Sequence, residues 1–228
     1  MNYSDKLKES KEKVYNFAIA TKILDLMDKL RMDATNSSER RWVWELLQNA
    51  KDVGFDDKSV SVEINFDKSN AFVEFRHNGK PFTVDNITFL IEQVSTKERT
   101  VKEGEKPKTT GKFGTGFLTT HLLSEKVDLS GVVKEPELPY RKFDIQLDRS
   151  GREIHEITDS VNASISVLES LDNYPAFEAW NPDSFNTVFR YNLDPKGIEV
   201  AEIGLLICTL PCRLLWHFAK NCFCFNTE

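Results

Sequence analysis

Apolar residues in the first thirty positions recur at helical spacing. Val14, Phe17, Thr21, Leu24 and Met27 form one stripe, with Ile23, Leu26 and Leu30 beside it, and this predicts a helix over residues 4–31. The segment "DATNSS" breaks the pattern. Asn36 followed by Glu39 then reads as the cap of a second helix, "SERRWVWELLQNAKDV", ending near Gly54. After it the period shortens to two. "SVSVEINFD" (59–67) and "AFVEFRH" (71–77) flank the polar turn "KSN" as a hairpin, and 83–94 returns to helical spacing. Residues 95–110, "STKERTVKEGEKPKTT", hold no aliphatic side chain except Val101, and a polar loop of that length inside a domain points to function. A helix "GFLTTHLLS" follows, then strands near 126–134, 142–148, 163–168 and 186–193, a helix from about 196, and a strand near 221–226. Strands and helices do not alternate strictly. The expected class is therefore α+β, a two-layer sandwich with helices on one face of a mixed, mostly antiparallel sheet.

Composition narrows the function classes. With 228 residues, 40% hydrophobic positions and sixteen Phe, one domain spanning 1–228 can bury about 70% of its extended-chain surface. The net charge of −6 does not favour a nonspecific grip on nucleic acid or an anionic membrane. No apolar run approaches the roughly 20 residues of a bilayer span, and the charged start "MNYSDKLKESKEKV" lacks the apolar stretch of a secretory signal, so a cytoplasmic protein is expected. Cys208, Cys212, Cys222 and Cys224 fit zinc spacing poorly and sit among large apolar residues, which reads as reduced, buried thiols.

Chemistry concentrates in two stretches. In "TGKFGTGFLTTHLLS", Gly111, Gly114 and Gly116 stand directly before a helix. Glycines let backbone N–H groups crowd around an anion, and a helix start adds free donors; a plain flexible loop is the alternative. On the second helix Glu45, Asn49 and Asp52 fall at i, i+4 and i+7 and share a face, opposite Trp42, Leu46 and Val53. A carboxylate and a carboxamide one turn apart suit a hydrated Mg²⁺ and an oriented water, although a solvated helix face has the same composition.

Taken together, "ELLQNAKDV" on a helix, "HNGKPF" at a strand end, "IEQVSTKER" opening a loop and "GKFGTGF" opening a helix resemble the GHKL ATPase superfamily. The likeness is to its heat-shock-chaperone branch and to sacsin-like proteins. It runs from about residue 37 to 124, and "NTVFRYNL" (186–193) is similar to a later strand of that family. The resemblance implies a Bergerat fold that binds ATP with Mg²⁺. Glu45 would be the general base, Asn49 the Mg²⁺ ligand, and Asp52 a pocket residue near the nucleotide. His77, Gly79 and Phe82 would belong to the base-binding box. Gly111, Lys112, Phe113, Gly114, Thr115 and Gly116 would wrap the phosphates, with Phe117 opening the next helix and Thr187 beside the adenine. Residues 95–116 would be the lid and glycine box, and residues 1–35 an N-terminal helix. The chain would be the N-terminal part of a larger protein that switches conformation or homodimerises on ATP binding.

One departure stands out. The family box begins with Asp, which accepts from the adenine amino group; here that position is His77, and the second glycine of the box is Pro81. A neutral imidazole can still accept one hydrogen bond, so His77 is expected to serve near pH 7.5 and fail near pH 5.5, or else to donate to a purine carbonyl and favour guanine. A nucleotide-binding sensor without hydrolysis is the second reading, against which the retained Glu45 speaks. A histidine kinase is a weak third, because residues 1–76 hold no His. No arginine finger is evident, so hydrolysis is expected to be slow. His121, on the helix after the glycines, is expected to pack or bond locally, and His155 and His217 belong to no cluster. Lys97 and Arg99 in the lid are as readily solvated as phosphate-bound, and Trp42 and Trp44 read as core and interface aromatics.

Overall fold

The computed structural model describes residues 2–32, 39–55, 59–93, 116–209 and 223–227. In chain order these form α1 (Tyr3–Met32), α2 (Arg41–Asp52), β1 (Val62–Asp67), β2 (Phe72–His77) and α3 (Val84–Glu92). A 3₁₀ helix (Phe117–Leu122) precedes β3 (Lys126–Val133), β4 (Tyr140–Asp148) and α4 (Ile154–Glu169). A 3₁₀ turn (Leu171–Asn173) leads to β5 (Ala176–Phe177), β6 (Thr187–Asn192), α5 (Pro195–Thr209) and β7 (Phe223–Thr227). The strands make one seven-stranded sheet in the order β5-β4-β3-β6-β2-β1-β7. Every pairing is antiparallel except β1 with β7. The fold is α+β, helices on a mostly antiparallel sheet, as the sequence predicts.

Alternation builds the two layers. Ile64, Phe75, Phe189 and Leu129 stand in one cross-strand row, with Val73, Tyr191, Val127 and Leu147 in the next, and all eight are buried. Their pleat neighbours point the other way and carry charge: Glu74 takes Arg76 and Arg190, while Gln146 and Asn192 donate to Asp128. The apolar face is covered by helices. The Ser160 and Ser164 hydroxyls of α4 donate to the carbonyls of Asp148 and Gln146 at 2.6 and 2.9 Å, which seats α4 along β4. Trp42 of α2 is fully buried, donates to the carbonyl of Val200 at 3.2 Å, and rests where a Cβ on Gly204 would lie. No described helix is long and apolar enough to cross a membrane.

Several expectations need correction. Residues 163–168 are not a strand but the end of α4, whose buried residues Ile157, Val161 and Ser164 follow helical spacing. The local alternation of "SISVLE" is overridden by this longer period and by a capping box between Glu153 and Glu156. The helix after the glycines is a 3₁₀ segment rather than an α-helix. α1 starts one residue early because Asn2 and Asp5 cap each other's backbone N–H groups, and α2 begins at Arg41 without a side-chain cap. Asn36, the loop 95–110 with Lys97 and Arg99, and the side chains of Cys208, Cys212, Cys222 and Cys224 lie outside the described residues.

Candidate functional site

α2 forms the floor of the site. Its buried stripe of Trp42, Val43, Leu46, Leu47 and Ala50 faces the core. That leaves Glu45 half-buried and Asn49 and Asp52 exposed along the opposite face, the shared face expected from their spacing. Two glycines from distant parts of the chain close onto this helix. At Gly116 a Cβ would fall 2.0 Å from Glu45 Oε2, so the carboxylate occupies the space a side chain would need. At Gly79 a Cβ would fall 2.5 Å from Val53 Cγ2, just past the other end of α2. Glu45 and Asp52 are seven residues apart, about 10 Å along the helix axis. One motif therefore meets α2 at each end.

The Glu45 end is built by the 3₁₀ helix. Phe117 opens that helix and is buried, its ring 5.6 Å from Phe189 and 5.9 Å from the His121 ring. Burying Phe117 pulls Gly116 against α2. The Glu45 carboxylate has one described cationic neighbour, Arg41 Nη2 at 3.5 Å. Asn49 makes no hydrogen bond to a described residue, so its amide oxygen is available to a ligand. Gly111, Lys112, Phe113, Gly114 and Thr115 lie outside the described residues.

The other end is built by β2 and β6. His77 and Thr187 are direct cross-strand partners on the helix-facing side, and both are buried. Gly131 of β3 lies one register step beyond the Ser130–Val188 pair, level with Thr187. Phe82 packs there, edge-on to Phe143 at 5.5 Å, and a Cβ on Gly131 would reach both rings. Phe82 is thus placed two strands away from His77, in the wall at the same end of the sheet. Asn78 holds the turn after β2. Its Oδ1 accepts from Ser61 N at 2.6 Å, and its Nδ2 donates to the carbonyl of Pro182 at 2.9 Å. The sequence reading missed Asn78, although its place between His77 and Gly79 in "HNG" marked it as a turn residue.

The geometry corrects the expectation for His77. The Gly79 N–H donates to His77 Nδ1 at 3.1 Å, so the acceptor nitrogen is already in use. Burial between Phe75 and Phe189 pushes the imidazole pKa down to about 4. The ring is neutral at both pH 7.5 and pH 5.5, with its proton on Nε2. His77 is therefore a hydrogen-bond donor over that whole range, and no switch operates between those values.

His121 is also fully enclosed, and burial, aided by the nearby Arg149 charge, lowers its pKa to about 3. Arg149 itself was invisible to pattern reading, since a buried guanidinium leaves no periodic mark. Its Nη2 donates to the carbonyl of Ile91 at 2.5 Å and so pins the last turn of α3.

The two histidines predict acid sensitivity. Above pH 6.5 folded and unfolded chains both hold them neutral. As pH falls through 6.5 the unfolded chain takes up protons that the folded chain refuses until about pH 4 and 3, so stability drops in that window. Each contributes about 1.4 kcal/mol per pH unit, roughly 2–3 kcal/mol together between pH 6 and 5. Urea unfolding at pH 7, 6 and 5 should show this slope, and His77→Asn should halve it. A flat profile would mean that neither ring is held neutral.

No family model matches the chain, and no curated protein matches it.

Proposed function

We propose that the chain is a nucleotide-driven switch that binds a purine nucleoside triphosphate with Mg²⁺, ATP being the reference ligand, and hydrolyses it slowly. One observation carries the proposal: two separate motifs meet the two ends of α2, Gly116 against the Glu45 carboxylate and Gly79 against Val53 just past Asp52. This is the arrangement a ligand with a charged end and a flat, apolar end requires.

The residues fit the roles the resemblance implies. Mg²⁺ needs few protein ligands when phosphates and waters supply the rest, and the exposed Asn49 amide meets that need. When bound, the ion would neutralise phosphate charge. Glu45 holds the attacking water and takes its proton on a carboxylate oxygen as the water oxygen bonds the terminal phosphorus. The bond from that phosphorus to its bridging oxygen breaks, leaving nucleoside diphosphate and phosphate. Arg41, the nearest described cation, orients the Glu45 carboxylate. At the other end Thr187 and His77 supply short polar contacts for the base against the Phe189 ring. The cytoplasmic setting, and a place within a larger chaperone-like or sacsin-like protein, belong to the same proposal.

The test is calorimetric titration of the purified chain with ATP, with and without Mg²⁺, and a phosphate-release assay. Binding is expected to require Mg²⁺ and to weaken at least about tenfold in Asn49→Ala, the loss of one ligand-borne contact. Glu45→Gln should keep binding and lose release. Binding with no release from the unaltered chain would replace the ATPase with a non-hydrolysing sensor. No nucleotide binding at all would overturn both.

A further inference from the structure

Four buried polar atoms around the 3₁₀ helix have no hydrogen-bond partner: Thr120 Oγ1, His121 Nε2, Arg149 Nε and the Tyr191 hydroxyl. None of these residues is more than 3% exposed, and polar atoms so enclosed normally find a partner. The fold brings them together. Tyr191 lies in the helix-facing row with Val127 and Leu147. Arg149 stands two residues beyond Leu147, and its backbone N–H donates to the carbonyl of Glu125 at 2.7 Å. That carbonyl also takes His121 Nδ1 at 3.3 Å, so Arg149 and the His121 ring meet at one peptide group. Burial pushes the Tyr191 phenol pKa up and the Thr120 hydroxyl offsets part of that, which puts the two hydroxyls side by side without a bond of normal geometry. The donor and acceptor roles follow. A carbonyl only accepts, so His121 Nδ1 carries the proton and Nε2 offers a lone pair. Arg149 uses Nη1 and Nη2 on the carbonyls of Asp148 and Ile91, at 3.3 and 2.5 Å, and its Nε–H remains.

We propose that the layer between the 3₁₀ helix and the sheet is a binding site for two internal waters. One accepts from Arg149 Nε–H and donates to His121 Nε2. The other joins the Thr120 and Tyr191 hydroxyls. Water fits because the site presents a donor, an acceptor and two hydroxyls that take either role, and a water needs only two to four polar partners. A small anion is the competing occupant, since Arg149 is a buried cation and no carboxylate bonds it among the described residues. The lone pair on His121 Nε2 opposes an anion, and the Asp148 carboxylate already acts on the guanidinium through space. The two waters tie Thr120 and His121, late in the 3₁₀ helix, to the sheet strands below. The helix that sets Gly116 against Glu45 is thus seated partly through solvent. The site is independent of the nucleotide reading.

The test is a high-resolution crystal structure of the whole chain, paired with oxygen-17 relaxation dispersion, which counts long-lived waters in solution. Expected are two ordered waters, each about 2.7–3.2 Å from both of its partners. In solution Thr120→Val with Tyr191→Phe should lose one long-lived water relative to the unaltered chain, and His121→Phe should lose the other. These changes put apolar groups of similar size in place of buried polar ones, and circular dichroism checks that each variant folds. Should one fail to fold, the crystal structure of the unaltered chain decides. A crystal soaked in sodium bromide should give no anomalous peak in the layer. A bromide peak beside Arg149 Nε, no density at either point, side chains that close into direct hydrogen bonds, or folded variants that keep the unaltered number of long-lived waters would each overturn the proposal.

Discussion

Gly116→Ala is expected to bind Mg-nucleotide normally and to release phosphate about a hundredfold more slowly, the loss that a displacement of about 1 Å in a reacting group produces. The expectation comes from what glycine does at this position. The backbone at Gly116 has φ −60 and ψ −47, an ordinary right-handed helical conformation that alanine adopts at least as well. Glycine is not needed for the chain path. It is needed because the added methyl would lie 2.0 Å from Glu45 Oε2 and 2.6 Å from Cδ. The 3₁₀ helix cannot retreat easily, since Phe117, Leu118 and Thr120 are buried behind it. The Glu45 side chain must move instead. The carboxylate then leaves the place from which it would hold the water, while Asn49, one turn further along α2, stays put. A split between intact binding and lost turnover is the signature. It is read by running calorimetry and phosphate release on the same preparation, beside Glu45→Gln. If Gly116→Ala turns over at the unaltered rate, Glu45 is not the base. If it loses binding as well, the glycine serves the phosphates directly.

Much of this arrangement was legible in the chain. The β1–β2 hairpin was, because alternation over six residues a side puts Val62, Ile64, Phe66, Val73 and Phe75 on one face, and the short turn between the strands then sets the register. The shared face of Glu45, Asn49 and Asp52 was legible too, since helical geometry alone decides it. What failed had competing periods or too little length. α4 carries a strand-like alternation inside a helical repeat, and the repeat wins only because α4 can lie along β4. β5 is two residues long and exists through its pairing with Tyr140 and Arg141, which no local pattern announces. α1 offered two apolar stripes, and nothing in its own sequence says that Ile19, Ile23 and Met27, rather than Val14 and Phe17, enter the core. The contacts that define the site were illegible for a related reason. Glu45 meets Gly116 across a long stretch of chain, and the protonation of His77 depends on one backbone N–H and on two aromatic neighbours.

On the proposed nucleotide reading, that protonation would set which purine the site prefers, with a large expected effect. With Gly79 N–H on Nδ1, His77 presents Nε2–H, a donor where an aspartate would present an acceptor. The 6-amino group of adenine also donates, so the two would be left opposed and unpaired in a buried place. The 6-oxo group of inosine or guanine accepts. ITP and GTP are therefore expected to bind at least as tightly as ATP, and ITP is the cleaner probe because it lacks the 2-amino group of guanine. His77→Asp reverses the polarity and should favour ATP over ITP by about ten- to a hundredfold, the worth of one buried hydrogen bond made against one left unmade. A carboxylate this enclosed also weakens the empty fold, so His77→Asn, whose amide donates and accepts, serves as the second variant and should bind both purines about equally. Because burial keeps the ring neutral down to about pH 4, the preference should be the same at pH 7.5 and pH 5.5. A tenfold preference of the unaltered chain for ATP over ITP would mean that His77 does not face the base. A preference that shifts between the two pH values would mean that the ring titrates there, which its place between Phe75 and Phe189 opposes.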